Sequence, residues 1–278
     1  PYTRVFSVGP KDVFAYPPFQ PVYYLPFLSV DIRYGEVFAS LTTMIIIYLA
    51  GRISKSKLTV PVLTFYSLSG VLIACAAIGT NDTSAGMLNA FAVFLLTESL
   101  RRRSSKIIAA SAAVSGLAVC FKQFSIFFPI FALTYLGRRA LNWKLYLSSF
   151  FSTVFLISSP YLVLSPLEFL REVILFHLGE RCYSSDFVLY QILPENLKAC
   201  YESNLWTIVH SVMLLALIVL FALRVKTLRE CLAYSILIWL IALFLGRYVA
   251  LSYLAFQAPA LCLLPLVQEF KLNCGKIQ

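Results

Sequence analysis

The sequence predicts an all-α fold, a polytopic transmembrane helix bundle of about nine spans with amphipathic helices lying in the membrane interface on its external side. Three observations carry that expectation. The 278 residues are 60% hydrophobic and only 13% charged, with a mean hydropathy of +0.81, far from the balance of a water-soluble domain. Apolar runs that approach the roughly 20 residues needed to cross a bilayer recur from residue 34 to residue 267. Lys and Arg gather in alternate connections between those runs.

Residues 1 to 33 read as an external segment. Within it, Phe19 to Val30 is apolar but too short to cross and carries Pro21 and Pro26, so it is expected to lie in the interface with Tyr23 and Tyr24 as headgroup-level anchors. Spans one to six fall within residues 34 to 165, over 34–51, 58–79, 84–100, 107–121, 124–137 and 143–165. Residues 166 to 203 form an external loop, in which Leu167, Leu170, Ile174 and Leu178 stand at helical spacing among charged neighbours. That pattern predicts an amphipathic helix on the external surface. The last three spans, 204–224, 228–246 and 248–267, lead to a cytosolic tail that ends at residue 278. The chain reads as a single membrane domain without internal repeats. It opens on Pro1 rather than Met and is expected to be a fragment lacking its start.

Fifteen of the 23 Lys and Arg fall on one side of this alternation, in the runs Arg52 to Lys57, Arg101 to Lys106, Arg138 to Lys144, Arg224 to Arg229 and the tail. The other side holds eight, among them Arg33, Lys122, Arg171, Arg181 and Arg247. The richer side is read as cytosolic. The same rule accounts for the formal charge of +10, which in a soluble protein would suggest nucleic acid; no nucleic-acid partner is expected. The partners are the lipid bilayer and what it carries. Localisation follows as an integral protein of the cell membrane.

Seven Cys without a CxxC pair and two His leave no ligand cluster for zinc or iron–sulfur, so no metal residues are assigned, although oxygen ligands leave a divalent cation open as a cofactor. Cys75, Cys120 and Cys262 lie in apolar runs and read as small buried hydrophobes. Cys182 and Cys200 share one external loop and could pair in an oxidising compartment.

The ionisable groups near the membrane cluster at the external boundary: Asp12, Asp31, Arg33, Glu36, Asp82, Lys122, Arg171, His177, Glu180, Arg181, Asp186 and Arg247. A mouth of mixed cations and carboxylates suits an enzyme acting on an anionic lipid head, with cations on the phosphate and a carboxylate taking a proton from a hydroxyl. The competing reading is a solvated rim of snorkelling side chains. Asp82, in Asn81-Asp82-Thr83 at a tight turn, serves equally as a catalytic group or as a cap for the next helix. Lys122 follows an apolar run and precedes a Phe-rich one, which places it between spans with few solvated neighbours and favours phosphate binding. Arg247 after Gly246 is either a turn marker or a second phosphate clamp.

Pro1-Tyr2, Tyr16-Pro17-Pro18-Phe19, Leu25-Pro26-Phe27, the Asn81-Asp82 turn before a span, and Lys122 followed by Phe-rich sequence to Pro129 together resemble the glycosyltransferase C superfamily. Within it the polyprenyl-phosphate-mannose-dependent mannosyltransferases are the most similar. The resemblance implies transfer of a hexose such as mannose from a polyprenyl-phosphate carrier to an acceptor on the external face. It also implies a catalytic Asp in a first external loop upstream of Pro1, a role that Asp12 does not match in position although it lies in the rest of that loop. Asp82 matches the family's second acidic turn, where the resemblance implies support of the site or of a bound cation. Lys122, Arg247, Arg171 and Arg181 are the donor-phosphate candidates. The rival readings are a secondary transporter or lipid flippase, which predicts midplane polar residues and internal repeats, and a non-catalytic membrane subunit.

Overall fold

The computed structural model describes residues 17–170, 173, 193–194, 198, 203–245 and 252–267, and every regular element among these residues is a helix. Pro17 and Pro18 lead into α1 (Phe19–Tyr24), which tightens into a 3₁₀ turn over Leu25–Phe27. The expected interfacial stretch forms an elbow in which Tyr24 is buried against the bundle and Tyr23 half-buried. The elbow leads into α2 (Arg33–Ser54), whose 22 residues measure about 33 Å at the standard helical rise and so match a bilayer core.

The next expected span is broken. α3 (Thr59–Ser67) and α4 (Gly70–Ile78) meet at an angle of 44°. Ser69 between them is extended, with φ −66° and ψ 111°, which interrupts the helical hydrogen bonding. Gly79 closes α4 in the left-handed region at φ 79°, where a side chain would be strained, and its N–H bonds Cys75 O at 2.9 Å.

α5 (Asp82–Arg102) is the central helix, buried over most of its length between α2, α6 and the final helix. Ala85, Gly86, Ala90 and Ala92 make that possible, because small residues let neighbouring backbones approach. α6 (Ser105–Phe121) packs along α5 with a similar small-residue face, and Ser111 Oγ bonds the Ala92 carbonyl at 2.8 Å. After Lys122 a 3₁₀ turn (Gln123–Ile126) precedes α7 (Phe127–Arg138), and α8 (Trp143–Leu164) returns along α6. The short α9 (Pro166–Leu170) follows directly, and the further helices among the described residues are α10 (Asn204–Ala222), α11 (Leu228–Leu245) and α12 (Tyr253–Leu263).

By length and apolarity, α2, α5, α8, α10 and α11 can each cross a membrane, and the bent pair α3–α4 makes a sixth. Among the described residues these are five or six spans, against the nine runs read from hydropathy. α6 has 17 residues, α7 has 12 and α12 has 11, each shorter than a full crossing.

Basic side chains gather at one end of the bundle. Arg138 donates to Leu223 O at 2.6 Å and Val225 O at 3.2 Å, and Arg139 donates to Lys226 O at 3.1 Å, which satisfies orphan carbonyls where α10 ends. Arg229 does the same for Leu264 O at 3.1 Å after α12. Glu98, one turn from the end of α5, is held by Arg101 and Arg102. These contacts join connections that the charge alternation had placed on one side. Cys75, Cys120, Cys231 and Cys262 are buried, while Cys182 and Cys200 lie outside the described residues.

Candidate active site

At the opposite end, five elements converge: the α1 elbow, the first turns of α2, α5 and α12, and the last turn of α6. Asp82 opens α5, and Asn81 stands at the N-cap position without a side-chain bond to the first turn, so the capping role open to this turn is not filled from within it. The Asp82 carboxylate is instead ion-paired with Lys122 Nζ, and their side chains are only 3% and 4% exposed. Lys122 reaches inward because the chain leaves the helix there: φ −151° and ψ 118° are extended, while its own N–H still bonds Ala118 O at 2.8 Å. Its Nζ also donates to Asn81 Oδ1 at 3.4 Å and lies 4.2 Å from the centroid of the Tyr253 ring, on the electron-rich face that favours a cation.

Glu36, fully buried in the first turn of α2, stands beside this pair. Its Oε1 accepts from the Tyr24 and Ser84 hydroxyls, and its Oε2 accepts from the Ser84 N–H at 3.2 Å. A first-turn N–H of α5 is thus satisfied by a carboxylate on another helix, which supplies the cap that Asn81 does not. Tyr23 donates to Gly35 O at 3.0 Å. Gly35 has no Cβ because one would sit 2.8 Å from the Tyr24 ring. Burial pushes the Tyr23 phenol up to about 12, and burial together with the Glu36 charge holds Tyr24 well above the ordinary phenol range, so both are neutral donors at neutral pH.

On the flank of α6 away from Asp82 lies an apolar groove of about 640 Å³. Val119, Cys120 and Gln123 line one side, and Phe151, Val154 and Leu162 of α8 line another, with Pro17 and Pro18 of the elbow at the same end as Gln123. Tyr161 OH donates to Pro18 O at 3.3 Å, and Gln123 Nε2 donates to Val173 O at 3.3 Å, which ties the groove's surroundings to α8 and to the chain beyond α9. Gln123, which lines the groove, follows Lys122 directly in the chain.

The structure thus brings together two of the residues singled out from sequence, Asp82 and Lys122. Asp12, Arg171, Arg181 and Arg247 lie outside the described residues. Sequence reasoning named Glu36 only as one boundary charge among many. A carboxylate one turn inside an apolar run, directly after a Gly, was the available signal, but an acidic first-turn residue is also what the helix dipole favours and so drew no attention. Among the described residues no group of three or more His, Cys, Asp and Glu converges as a metal set. Asp82 is engaged by Lys122, and Glu36 accepts from three donors.

The sequence matches the family model of glycosyltransferase family 87 over residues 14–252. The chain belongs to glycosyltransferase family 87. No curated protein matches it. The matched range includes the elbow, Glu36, Asp82 and Lys122, so the buried polar junction and the apolar groove are features of a glycosyltransferase with helices apolar enough to cross a membrane.

Proposed function

We propose that this glycosyltransferase moves a hexose, such as mannose, from a polyprenyl-phosphate carrier to an acceptor on the external face of the cell membrane. The observation that carries the reading is the pairing of an apolar groove of about 640 Å³, lined in part by Gln123, with a buried ammonium on the preceding residue, which suits a hydrocarbon chain bearing a phosphate head. Charge alternation supports the external placement, since the Asp82–Lys122 end lies opposite the Arg-rich end. The glycosyltransferase C layout and the nine-span topology belong to this reading, with α6, α7 and α12 as the shorter crossings.

In the proposed reaction, the acceptor hydroxyl oxygen attacks the anomeric carbon and the bond from that carbon to the carrier's phosphate oxygen breaks, its electron pair leaving with the phosphate. The hydroxyl proton passes to a carboxylate. Lys122 has three N–H donors, and the arriving phosphate becomes its stronger partner, which frees Asp82 to act near the acceptor or to hold it. Arg247, Arg171 and Arg181 are proposed to complete the phosphate clamp, and Asp12 to contribute from the external segment. Thr83 Oγ1 and Asn89 Oδ1, buried without a hydrogen-bond partner, are polar groups that a hydroxyl-rich sugar or water would satisfy. Among the described residues, buried charges sit in the first or last turns of helices or directly after one, and none lies mid-span, which favours this reading over a transporter or flippase.

The test is transfer from radiolabelled polyprenyl-phosphate-mannose by the purified full-length protein, compared with Asp82→Ala. Wild-type transfer that collapses in the variant supports the proposal. Wild-type protein that moves no sugar from any lipid-linked donor sinks it.

A further inference from the structure

We infer that Glu36 is a positioning residue for the reacting groups: by joining the aromatic elbow to the first turn of α5, it sets where the Asp82 carboxylate stands. The inference rests on Asp82 and Lys122 serving the transfer reaction. Glu36 is not itself placed to exchange a proton with a substrate, because both its oxygens are occupied, one by the Tyr24 and Ser84 hydroxyls and the other by the Ser84 N–H. Ser84 lies two residues beyond Asp82 in the same helical turn, so a displacement of one is felt by the other.

The elbow braces the cationic side as well. Phe121, directly before Lys122, packs edge-on against Tyr23 at 5.3 Å between ring centroids and against Tyr24 at 6.0 Å. One short segment therefore touches both halves of the ion pair, the Asp82 half through Glu36 and Ser84 and the Lys122 half through Phe121. Tyr161 holds Pro18 from α8 without involving Glu36, so the groove keeps its elbow contact when the Glu36 bonds are altered. Since a misplacement of about 1 Å in a reacting group lowers rates by up to about a hundredfold, the device belongs to catalysis rather than to lipid binding.

The experiment compares wild type, Glu36→Gln, Tyr24→Phe, the double variant and Asp82→Asn as full-length proteins in detergent, with radiolabelled polyprenyl-phosphate-mannose as donor. Tyr24→Phe keeps the ring and its packing, so it tests the bond in a chain that still folds; monodisperse elution checks this. The expected result for each single variant is a kcat lower by about tenfold with a donor KM within about twofold of wild type. The double variant is expected to be no slower than the worse single one, because the Tyr24 hydroxyl acts through the Glu36 carboxylate. A kcat near wild type in both single variants, while Asp82→Asn is inactive, overturns the positioning role alone, and so do losses that multiply in the double variant. Full activity in Asp82→Asn overturns the assignment of Asp82 and the inference with it.

Discussion

Replacing Lys122 by Met keeps the length of the side chain and removes its charge, which leaves the Asp82 carboxylate among groups that cannot neutralise it. Asn81 Oδ1 is an acceptor, and the Tyr253 ring presents the face that favours cations, not anions. With both side chains at most 4% exposed, water does not replace the lost partner. Breaking a buried pair from one side costs about 3–5 kcal/mol, which for a chain of this size lowers Tm by about 10 °C. Removing both charges, in Asp82→Asn with Lys122→Met, abolishes the stranded ion, and stability is expected to return to within about 1 kcal/mol of wild type. Transfer activity is expected to be lost in the single and the double variant alike, which separates the stabilising role of the pair from its chemical one. The assay is thermal unfolding of purified full-length protein in detergent, followed by tryptophan fluorescence, beside the radiolabelled transfer reaction. The reasoning is refuted if Lys122→Met unfolds at the wild-type temperature, or if the double variant is no more stable than the single one.

Three further outcomes follow from the packing. A Cβ at Gly86 would lie 2.7 Å from the Phe256 carbonyl oxygen and 3.0 Å from the Pro259 ring, so Gly86→Val drives α5 and α12 apart and costs about 1–3 kcal/mol, read from the same unfolding curves. Val154→Trp fills part of the groove and is expected to raise the KM for long-chain carriers about tenfold while leaving a short-chain analogue nearly unaffected, measured by varying carrier length in the transfer assay. The Arg33 guanidinium and N–H beside Asp31 hold its carboxyl below the ordinary carboxylate range. A depressed carboxyl stabilises the fold above its unfolded value and ceases to do so as pH falls through its folded one, so Arg33→Ala is expected to differ from wild type at neutral pH and to converge with it in acid, in unfolding curves recorded across pH.

Glu36 and Lys122 show how unevenly the site was legible. Lys122 stood out because a cation between two apolar runs is costly wherever it has no partner, a fact visible in one dimension. Glu36 did not, because its importance lies in reaching Ser84, 48 residues away, and in meeting Tyr24 in an elbow that hydropathy places at the membrane surface. Tyr24 is buried because Gly35 leaves room for its ring and Phe121 offers an aromatic wall, neither of which a local pattern encodes.

What the sequence by itself determined is the solvent of this protein and its helical class, since both follow from the density of apolar side chains and from backbone groups that must bond within the helix when lipid surrounds them. Charge spacing also grouped the connections at Arg138, Arg224 and Arg229 and the tail, and contacts from Arg138, Arg139 and Arg229 join those connections in the bundle. Only the tertiary structure decided that the 58–79 stretch bends by 44°, that an apolar groove opens between α6 and α8, and that Asp82 and Lys122, 40 residues apart, face each other. Those outcomes depend on how closely helices approach, and that distance is set by pairs of small residues on different helices, such as the Gly86 contact with α12, rather than by any single stretch of chain.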